Sequence, residues 1–210
     1  MQSTKAAVYG MSKIPLNYYR NPDTLELARD LLGKFLFTQT DTHNLCGGII
    51  TETEAYLGAT DKASHAWGNR KTQRTQTMFL PGGVAYIYLC YGIHHLFNIV
   101  THRENIPHAI LIRGVFPVLG KEVMEKRTGK KVPTHLDGPG KLTKALGIQT
   151  DYDGTSLTGN TIWLEDKNLK FADSEIQDGP RVGVDYAGED AKLPYRFLIK
   201  DTSVLKNIKF

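Results

Sequence analysis

The chain has 210 residues, 40% of them hydrophobic and 23% charged, a composition typical of one globular domain with a sizeable core. Residues 1–19 contain scattered charges and no continuous apolar run, so we expect no signal peptide, no membrane span and a cytoplasmic protein. Cys46 and Cys90 form no C-x-x-C pair, which favours free thiols in a reducing compartment over a disulfide framework or a zinc site.

The net charge of +4 is unevenly distributed along the chain. Residues 1–150 carry 18 Lys and Arg against 11 Asp and Glu, whereas residues 151–210 carry 8 against 11. A basic region of this size is suited to phosphate contacts, although many enzymes of similar charge bind no polyanion. Charge therefore permits a nucleic-acid partner without predicting one.

The order of the predicted elements favours an α+β fold. A helix is predicted within 21–33, where Asp23 and Glu26 have capping-box spacing and Gly33 ends the apolar periodicity. Further helices are predicted over 117–127 and 139–146. Runs rich in β-branched and aromatic residues predict strands over 34–39, 48–57, 84–90, 95–101, 109–116, 161–164, 181–186 and 195–200.

The linkers between these elements are short, and at least two pairs of strands form candidate hairpins. We therefore expect a largely antiparallel, curved sheet with flanking helices and a protruding β-hairpin. No repeat or low-complexity linker interrupts the chain, so residues 1–210 are predicted to form a single domain. Residues 1–20 are expected to be a loosely attached N-terminal arm.

The predicted strand over 48–57 carries the first candidates for chemistry. Strict alternation would put Ile50, Glu52, Glu54 and Tyr56 on one face. Two carboxylates and a phenol do not make a core pattern. The face is therefore either a solvated surface with hydrated acids or part of a site.

A basic cluster follows His65. Arg70, Lys71, Thr72 and Arg74 supply several phosphate donors at one place, which would position a duplex without reading its sequence. The same run would also suit a solvated loop. A lone histidine beside it is more often structural than catalytic.

The most informative segment is the hairpin predicted over 79–100. Its turn, residues 91–94, carries Tyr91, one glycine, an isoleucine and a histidine, with a second histidine directly after it, where ordinary hairpins prefer Asn, Asp and Gly. An apolar tip in water needs a partner. It either packs against another part of the chain or acts as a wedge that fills the gap left by an extruded nucleotide.

Two further segments carry charged candidates. Arg113 interrupts an apolar strand on the same face as Leu111, and a buried arginine requires an acidic or phosphate partner. Lys141 lies beside a Gly-rich turn that opens the helix predicted over 139–146, an arrangement able to hold phosphate. Taken alone, this second pattern is weak, since Gly-Pro is common before a helix.

Together these residues resemble the alkyladenine (3-methylpurine) DNA glycosylase family. The resemblance covers nearly the whole chain after Leu25, apart from the segment 101–108, which departs from the family pattern. Its motifs are Leu-Ala-Arg-Asp-Leu-Leu-Gly at 27–33, Glu-Thr-Glu-Ala-Tyr-Leu-Gly at 52–58, Ser-His at 64–65, Met-Phe at 78–79, Tyr-Ile-Tyr-Leu-Cys-Tyr-Gly at 86–92, Asn98, Leu-Ile-Arg at 111–113, Gly-Pro-Gly-Lys-Leu at 138–142 and Arg-Val-Gly-Val at 181–184.

The resemblance implies a base excision repair DNA glycosylase that needs no cofactor or metal. Such an enzyme flips alkylated or deaminated purines out of double-stranded DNA and hydrolyses the N-glycosidic bond with an activated water, leaving an abasic site. Its implied substrates include 3-methyladenine, 7-methylguanine, hypoxanthine and ethenoadenine. We expect a monomer with no membrane partner, associated with the nucleoid if the organism is bacterial.

The resemblance also implies roles for individual residues. Glu54 would be the general base for the water, and Arg113 would help to hold it. The base pocket would have Tyr56 and His65 on one side of the flipped base, Tyr88 on the other, Asn98 to disfavour the amine of guanine, and Leu111 in the lining. Tyr91 would be the wedge in the duplex, and the phosphate contacts would be Arg70, Thr72, Arg74 and Lys141.

Elementary chemistry is consistent with these roles. A cationic alkylated purine is already an activated leaving group, so the enzyme chiefly needs a base for water and a carboxylate near an oxocarbenium-like centre. No lysine occupies a matched catalytic position, which predicts no strand cleavage. Two alternatives stay open: a metal-dependent nuclease built on Glu52, Glu54 and His65, and a non-catalytic nucleic-acid-binding domain of the same fold.

Overall fold

Nine strands form one sheet in the part of the chain that the computed structural model describes, residues 13–40, 44–133 and 135–208. Every strand pair is antiparallel, which confirms the predicted α+β class. The strands are β1 (Phe35–Gln39), β2 (Leu45–Tyr56), β3 (Ala85–Cys90), β4 (His94–Thr101), β5 (His108–Leu119), β6 (Leu136–Asp137), β7 (Ile162–Glu165), β8 (Ile176–Gly179) and β9 (Arg196–Ile199).

Strand β2 is the centre of the sheet. The main path of the sheet runs β3-β4-β5-β2-β1-β7, with β6 beside β5 and the β8–β9 pair beside β2. The first half of β2 pairs with β1, and its second half, at Glu52 to Glu54, pairs with β9. Strand β5 runs along the other edge of β2. The two glutamates therefore lie between β5 and β9.

Two β-bulges interrupt the pairing of β2 with β5 at this point. Thr51 has no partner between the pairs Ile50–Val115 and Glu52–Gly114, and Arg113 has none before Thr53 pairs with Ile112. The first bulge breaks the alternation, so the prediction that Ile50 shares a face with the glutamates is wrong. Ile50 packs in the same core cluster as Ala55.

Helices cover one face of this sheet. The described residues contain α1 (Leu16–Tyr19), α2 (Thr24–Asp30), α3 (Lys121–Thr128) and α4 (Pro139–Leu146). As predicted, α2 begins with a cap, in which the Asp23 carboxylate accepts the Glu26 N–H at 2.9 Å. Apolar residues of α2 and α4 lie in the main core cluster with residues of β2, β4 and β5. Within the described ranges, no helix is long and apolar enough to cross a membrane.

Two sequence predictions about elements are wrong. Residues 117–119 continue β5, where Leu119 pairs with Gly47, and Gly120 at φ 74° separates them from α3. The predicted strand over 181–186 is absent from the described residues, since that segment turns into a 3-10 helix at Asp185–Lys192. Strand β8 pairs with β9 instead.

The expected N-terminal arm is only partly within the described residues. Residues 1–12 lie outside them. Residues 13–20 pack against the sheet: Ile14 and Tyr19 are buried, and the Ile14 N–H donates to the Leu164 carbonyl at 2.9 Å. Loose attachment is therefore wrong for these eight positions.

The close pairing of β2 with β5 leaves no room for a side chain at Gly48. A Cβ there would collide with the Val115 side chain and lie 2.8 Å from the Phe116 carbonyl oxygen. We expect Gly48→Ala to lower the free energy of unfolding by about 1 to 3 kcal/mol, measured by urea denaturation. Gly179→Ala is the matched control, because Gly179 also lies in a strand but has nothing within 4 Å of its Cβ position. Equal midpoints for both variants would contradict the packing described.

Candidate active site

Cross-strand register assembles the site in one row. Tyr86 lies opposite Asn98, and Asn98 lies opposite Leu111. Leu111 lies opposite Glu54, which in turn lies opposite Arg196. Residues directly opposite each other on antiparallel strands have neighbouring side chains on the same face. The register thus gathers residues from five strands, distant in sequence, on one side of the sheet.

Glu54 is the most deeply buried charged group of this row, with 0% exposure. One carboxylate oxygen accepts the Val182 N–H at 2.7 Å, and the other accepts the Tyr56 hydroxyl at 2.8 Å and Arg113 Nη1 at 3.4 Å. Burial raises the pKa of Glu54, while Arg113, the Val182 N–H and Tyr56 oppose that rise. A buried carboxylate with a raised pKa is typical of a general base.

Arg113 has the acidic partners that its position predicted. Its Nε donates to Glu52 at 3.0 Å and lies 3.4 Å from Glu54. Glu52 also accepts Arg196 Nε at 2.6 Å. The bulge in β5 orients Arg113 toward both glutamates, a use that β-bulges often have near active sites. Glu52 and Glu54 are therefore not hydrated surface acids.

A cavity of about 640 Å³ opens in front of this row. Glu54 itself does not line the cavity, but its three donors, Tyr56, Arg113 and Val182, do. We call this space the aromatic cavity because its lining includes five tyrosines and two histidines: Tyr56, Tyr86, Tyr88, Tyr91, Tyr186, His65 and His94. The sequence-predicted residues that line it are Tyr56, His65, Arg74, Tyr88, Tyr91, Asn98, Leu111, Arg113 and Lys141.

His65 and Tyr88 touch each other across the aromatic cavity. Their ring centroids are 4.7 Å apart at an interplanar angle of 75°. A base stacked between them needs about 3.5 to 4 Å on each side, so the two rings must separate before it fits. His65 Nδ1 lies 2.9 Å from the Tyr86 hydroxyl. Burial and the nearby Arg74 lower the pKa of His65 to about 4, so the ring is neutral at pH 7.

The side chain of Asn98, on β4, is held in place by a hydrogen bond to the backbone of β3. It is 4% exposed, and its side-chain amide donates to the Tyr86 carbonyl oxygen at 3.0 Å. Leu111, its cross-strand partner, is 3% exposed. The amide and the leucine thus form a rigid part of the cavity lining.

The hairpin tip, residues 91–93, is exposed. Tyr91 is 91% exposed and Ile93 is 71% exposed, which excludes packing of these side chains against the rest of the described chain. Tyr91 has φ 51°, a left-handed conformation that costs a non-glycine residue on the order of 1 to 3 kcal/mol. Tyr91 and Gly92, with φ 51° and 72°, are the two central residues of the β-turn closed by the Ile93 N–H and the Cys90 carbonyl, and this hairpin turn requires positive φ at both positions.

The four predicted phosphate contacts differ in their surroundings. Arg70 is exposed and does not line the aromatic cavity. The Thr72 hydroxyl lies 3.1 Å from that of Thr75 in a local turn. The Arg74 guanidinium lies 4.9 Å from the Tyr88 ring centre and 3.4 Å from His65. Lys141 forms an exposed ion pair with Asp137 at 2.8 Å.

Sequence reasoning gave no role to a buried ion pair behind Tyr56. The Arg181 and Asp61 side chains are 0% and 2% exposed and are joined by two hydrogen bonds. The Arg181 guanidinium also lies 4.8 Å from the Tyr56 ring centre. This pair fixes the segment that brings the Val182 N–H to Glu54. The motif Arg-Val-Gly-Val contains Arg181, but its residue pattern predicts a strand and gives no sign of the ion pair.

The described residues hold no candidate metal centre. No three His, Cys, Asp or Glu side chains are grouped as metal ligands in these ranges, and Cys46 and Cys90 are both free thiols. Glu52 and Glu54 are instead bound by arginines. The donor set needed by the nuclease alternative is therefore not found in the described part of the chain.

A buried carboxylate and an arginine behind an aromatic cavity define an enzyme-like site for a flat ligand. The chain belongs to the methylpurine-DNA glycosylase family, whose model matches residues 17–203. This confirms the resemblance drawn from the motifs. Family membership supports a DNA glycosylase of base excision repair, a hydrolase of N-glycosyl bonds that binds DNA.

Bacterial relatives support the same assignment. A Chlamydia felis protein is 45% identical over 189 residues, which cover 89% of this chain and 95% of the relative. An Alkaliphilus oremlandii protein is 41% identical over 198 residues (90% and 96%), and a Bdellovibrio bacteriovorus protein is 40% identical over 190 residues (90% and 95%). All three carry the provisional name 3-methyladenine DNA glycosylase.

We expect His65 to titrate with a midpoint of about 4 in an NMR pH titration, because its ring is buried. Arg74→Gln should raise that midpoint, since the Arg74 charge contributes to lowering it. His108 is an internal control: its pKa is also about 4, through burial and His102, so the Arg74 variant should leave it unchanged. A His65 midpoint near 6.5 would show that the ring is not buried as described.

Proposed function

We propose that this protein is a monofunctional DNA glycosylase that flips damaged purines out of double-stranded DNA and hydrolyses the N-glycosidic bond with an activated water. The observation that carries the proposal is the buried Glu54 carboxylate, held by Tyr56, Arg113 and the Val182 N–H behind the aromatic cavity. The substrates are alkylated or deaminated purines such as 3-methyladenine, 7-methylguanine, hypoxanthine and ethenoadenine, and the product is an abasic site.

Glu54 acts as the general base for the water. Its three donors favour the ionised form, whereas burial keeps its pKa high enough for it to accept a proton. The same negative charge stabilises the oxocarbenium-like sugar as the bond to the base breaks. Arg113 contacts Glu54 and lines the aromatic cavity, which supports its role in holding the water.

The aromatic cavity selects electron-poor bases. Stacking and cation–π contacts with Tyr56, His65 and Tyr88 favour a cationic alkylated purine by about 1 to 3 kcal/mol per contact. His65 is neutral at pH 7 and does not repel such a base. Asn98, fixed in the lining beside Leu111, disfavours the exocyclic amine of normal guanine.

Tyr91 is the wedge that replaces the flipped nucleotide. It is exposed at the rim of the aromatic cavity, at the end of a hairpin. Aromatic side chains inserted between base steps stabilise an extruded state by filling the gap in the stack. The ring of Tyr91 is already 91% exposed without DNA, so no part of the described chain must release it.

Basic residues around the rim hold the phosphate backbone. Arg74 and Lys141 line the aromatic cavity, and Arg70 and Thr72 precede Arg74 in the same segment of the basic part of the chain. Arg74 now occupies the face of Tyr88, so it must turn toward a phosphate when a base stacks there. Each phosphate that a basic side chain neutralises releases counterions, so the affinity for DNA depends on salt concentration.

Water, not an amine, is the nucleophile. Among the described residues that line the aromatic cavity, Lys141 is the single lysine, and its amine is paired with Asp137. A glycosylase without an amine nucleophile forms no Schiff base with the sugar, so it leaves the strand intact.

Glu54→Gln should reduce single-turnover excision of a methylated purine by at least ~100-fold while binding to the damaged duplex is kept, because only the general base is lost. Glu165→Gln is the matched control. Glu165 is also a buried, ion-paired glutamate of the same sheet, but it lies in β7 away from the aromatic cavity. Released base is measured by chromatography, and equal rates for Glu54→Gln and the control would remove Glu54 from the mechanism.

The same assay separates the glycosylase from its two alternatives. Run in excess chelator, it should still release the base and leave an unbroken abasic strand. Strand cleavage that the chelator abolishes would favour the nuclease, and binding without release would favour a non-catalytic domain.

Tyr91→Ala should weaken capture of the flipped base more than binding to undamaged DNA, whereas Tyr91→Phe should keep the wild-type ratio, because the ring fills the gap. The measurement is the fluorescence of a base analogue that brightens on unstacking, together with duplex affinity. If Tyr91→Ala lowers both quantities equally, Tyr91 is an ordinary DNA contact.

A further inference from the structure

We propose that Glu52 and Arg196 are positioning residues that govern how strongly Arg113 holds the Glu54 carboxylate, an inference that rests on the proposed glycosylase function. Neither the family motifs nor the expected mechanism uses Arg196. Arg196 does not line the aromatic cavity, so any effect it has on catalysis must pass through other side chains.

The four side chains form a chain of alternating charge, here called the charge network. Glu52 Oε1 accepts Arg196 Nε at 2.6 Å and Arg113 Nε at 3.0 Å. Arg113 reaches Glu54 only at 3.4 Å. Arg113 therefore lies closer to Glu52 than to Glu54, the proposed general base. Glu52 in turn is shared between Arg113 and Arg196.

Burial makes this competition matter. The side chains of Glu52 and Arg113 are 11% and 13% exposed, and that of Glu54 is 0% exposed. Charges with so little water around them interact more strongly than surface ion pairs. Arg196, at 30% exposed, is the end of the charge network nearest the solvent.

The strand pairing fixes these distances. Glu52 lies opposite Gly114 on β5 and Leu198 on β9, so no backbone freedom is left to separate the four groups. Strand β9 lies on the edge of β2 opposite β5. It thus supplies Arg196 as a second cation for Glu52. With Arg196 in place, the charge network contains two cations and two anions.

Removal of Arg196 leaves the charge of Glu52 balanced by Arg113 alone. Arg113 is then drawn away from Glu54, and the negative Glu52 repels the ionised Glu54. Both changes raise the pKa of Glu54, since Arg113 lowers it and Glu52 raises it. Removal of Glu52 lowers the pKa of Glu54. The repulsion between the two carboxylates ends, and Arg113 no longer divides its contacts between Glu52 and Glu54.

Other polar groups that face Glu54 stay unchanged in these variants. They are the Tyr56 hydroxyl from its own strand, the Val182 N–H, and Arg181 with its partner Asp61 from the surrounding loops. A shift caused by the charge network can therefore be assigned to Glu52, Arg113 and Arg196.

The experiment is the pH dependence of single-turnover excision from a duplex with one 7-methylguanine, corrected for spontaneous depurination. Only the carboxylate form of Glu54 acts as base, so the rate falls as the pH drops through its pKa. Arg196→Gln should move this acid limb up by roughly 0.5 to 1 pH unit, and Glu52→Gln should move it down. The double variant should match Glu52→Gln, because Arg196 acts through Glu52.

Two controls separate this effect from a loss of structure. Arg29→Gln removes an arginine of matched exposure, 32% against 30%, that is also paired with a carboxylate, and it should leave the limb in place. Arg196→Lys keeps the cation and should restore most of the wild-type limb. Thermal unfolding of each variant verifies that the chain is folded at the assay temperature.

The outcomes distinguish the two proposals. If the wild-type protein releases no base, the proposed function fails. If it releases base but Arg196→Gln changes only the plateau rate and leaves the acid limb unmoved, the glycosylase stands and the positioning role is overturned. Opposite shifts for Arg196→Gln and Glu52→Gln, with the double variant matching Glu52→Gln, support the charge network.

Discussion

The burial of the Glu54 carboxylate is the constraint on which this structure depends. An unpaired buried charge costs several kcal/mol, so Glu54 can remain only where donors surround it. A tyrosine two positions along the same strand, an arginine of β5 and a loop N–H supply those donors. Each donor needs its own support: a bulge for Arg113, and the buried Asp61–Arg181 pair for the loop. Much of the fold around the aromatic cavity serves this one group.

The antiparallel sheet distributes two tasks between its faces. Helices α2 and α4 cover the core face, and the other face presents the row from Tyr86 to Arg196. A rigid sheet holds the groups proposed for base recognition and the proposed general base at fixed spacing, since cross-strand neighbours cannot move independently. The side chains that must rearrange for the proposed flipped base lie outside this rigid row: His65 and Tyr88, which contact each other, and Arg74, which lies over the Tyr88 ring.

Local patterns predicted the elements whose stability is local. The cap at Asp23, the bounds of α4 and the exposed hairpin tip at Tyr91 all follow from residues close in sequence. Alternation failed at Thr51, because a bulge depends on the partner strand and leaves no mark in the sequence of its own strand. The same limit applies to the strand expected over 181–186: its arginine is buried against Asp61, a contact that periodicity cannot reveal.

Strand β9 closes the second half of β2, and this has a consequence for how the protein matures. Glu52 and Glu54 are synthesised long before Val182 and Arg196, so a nascent chain holds two adjacent carboxylates without most of their partners. Contacts of such large sequence separation form late and slow the folding of β-rich domains. The surroundings of both glutamates are therefore completed only with the last strand of the sheet, and a chain interrupted before β9 lacks Arg196 as a partner of Glu52.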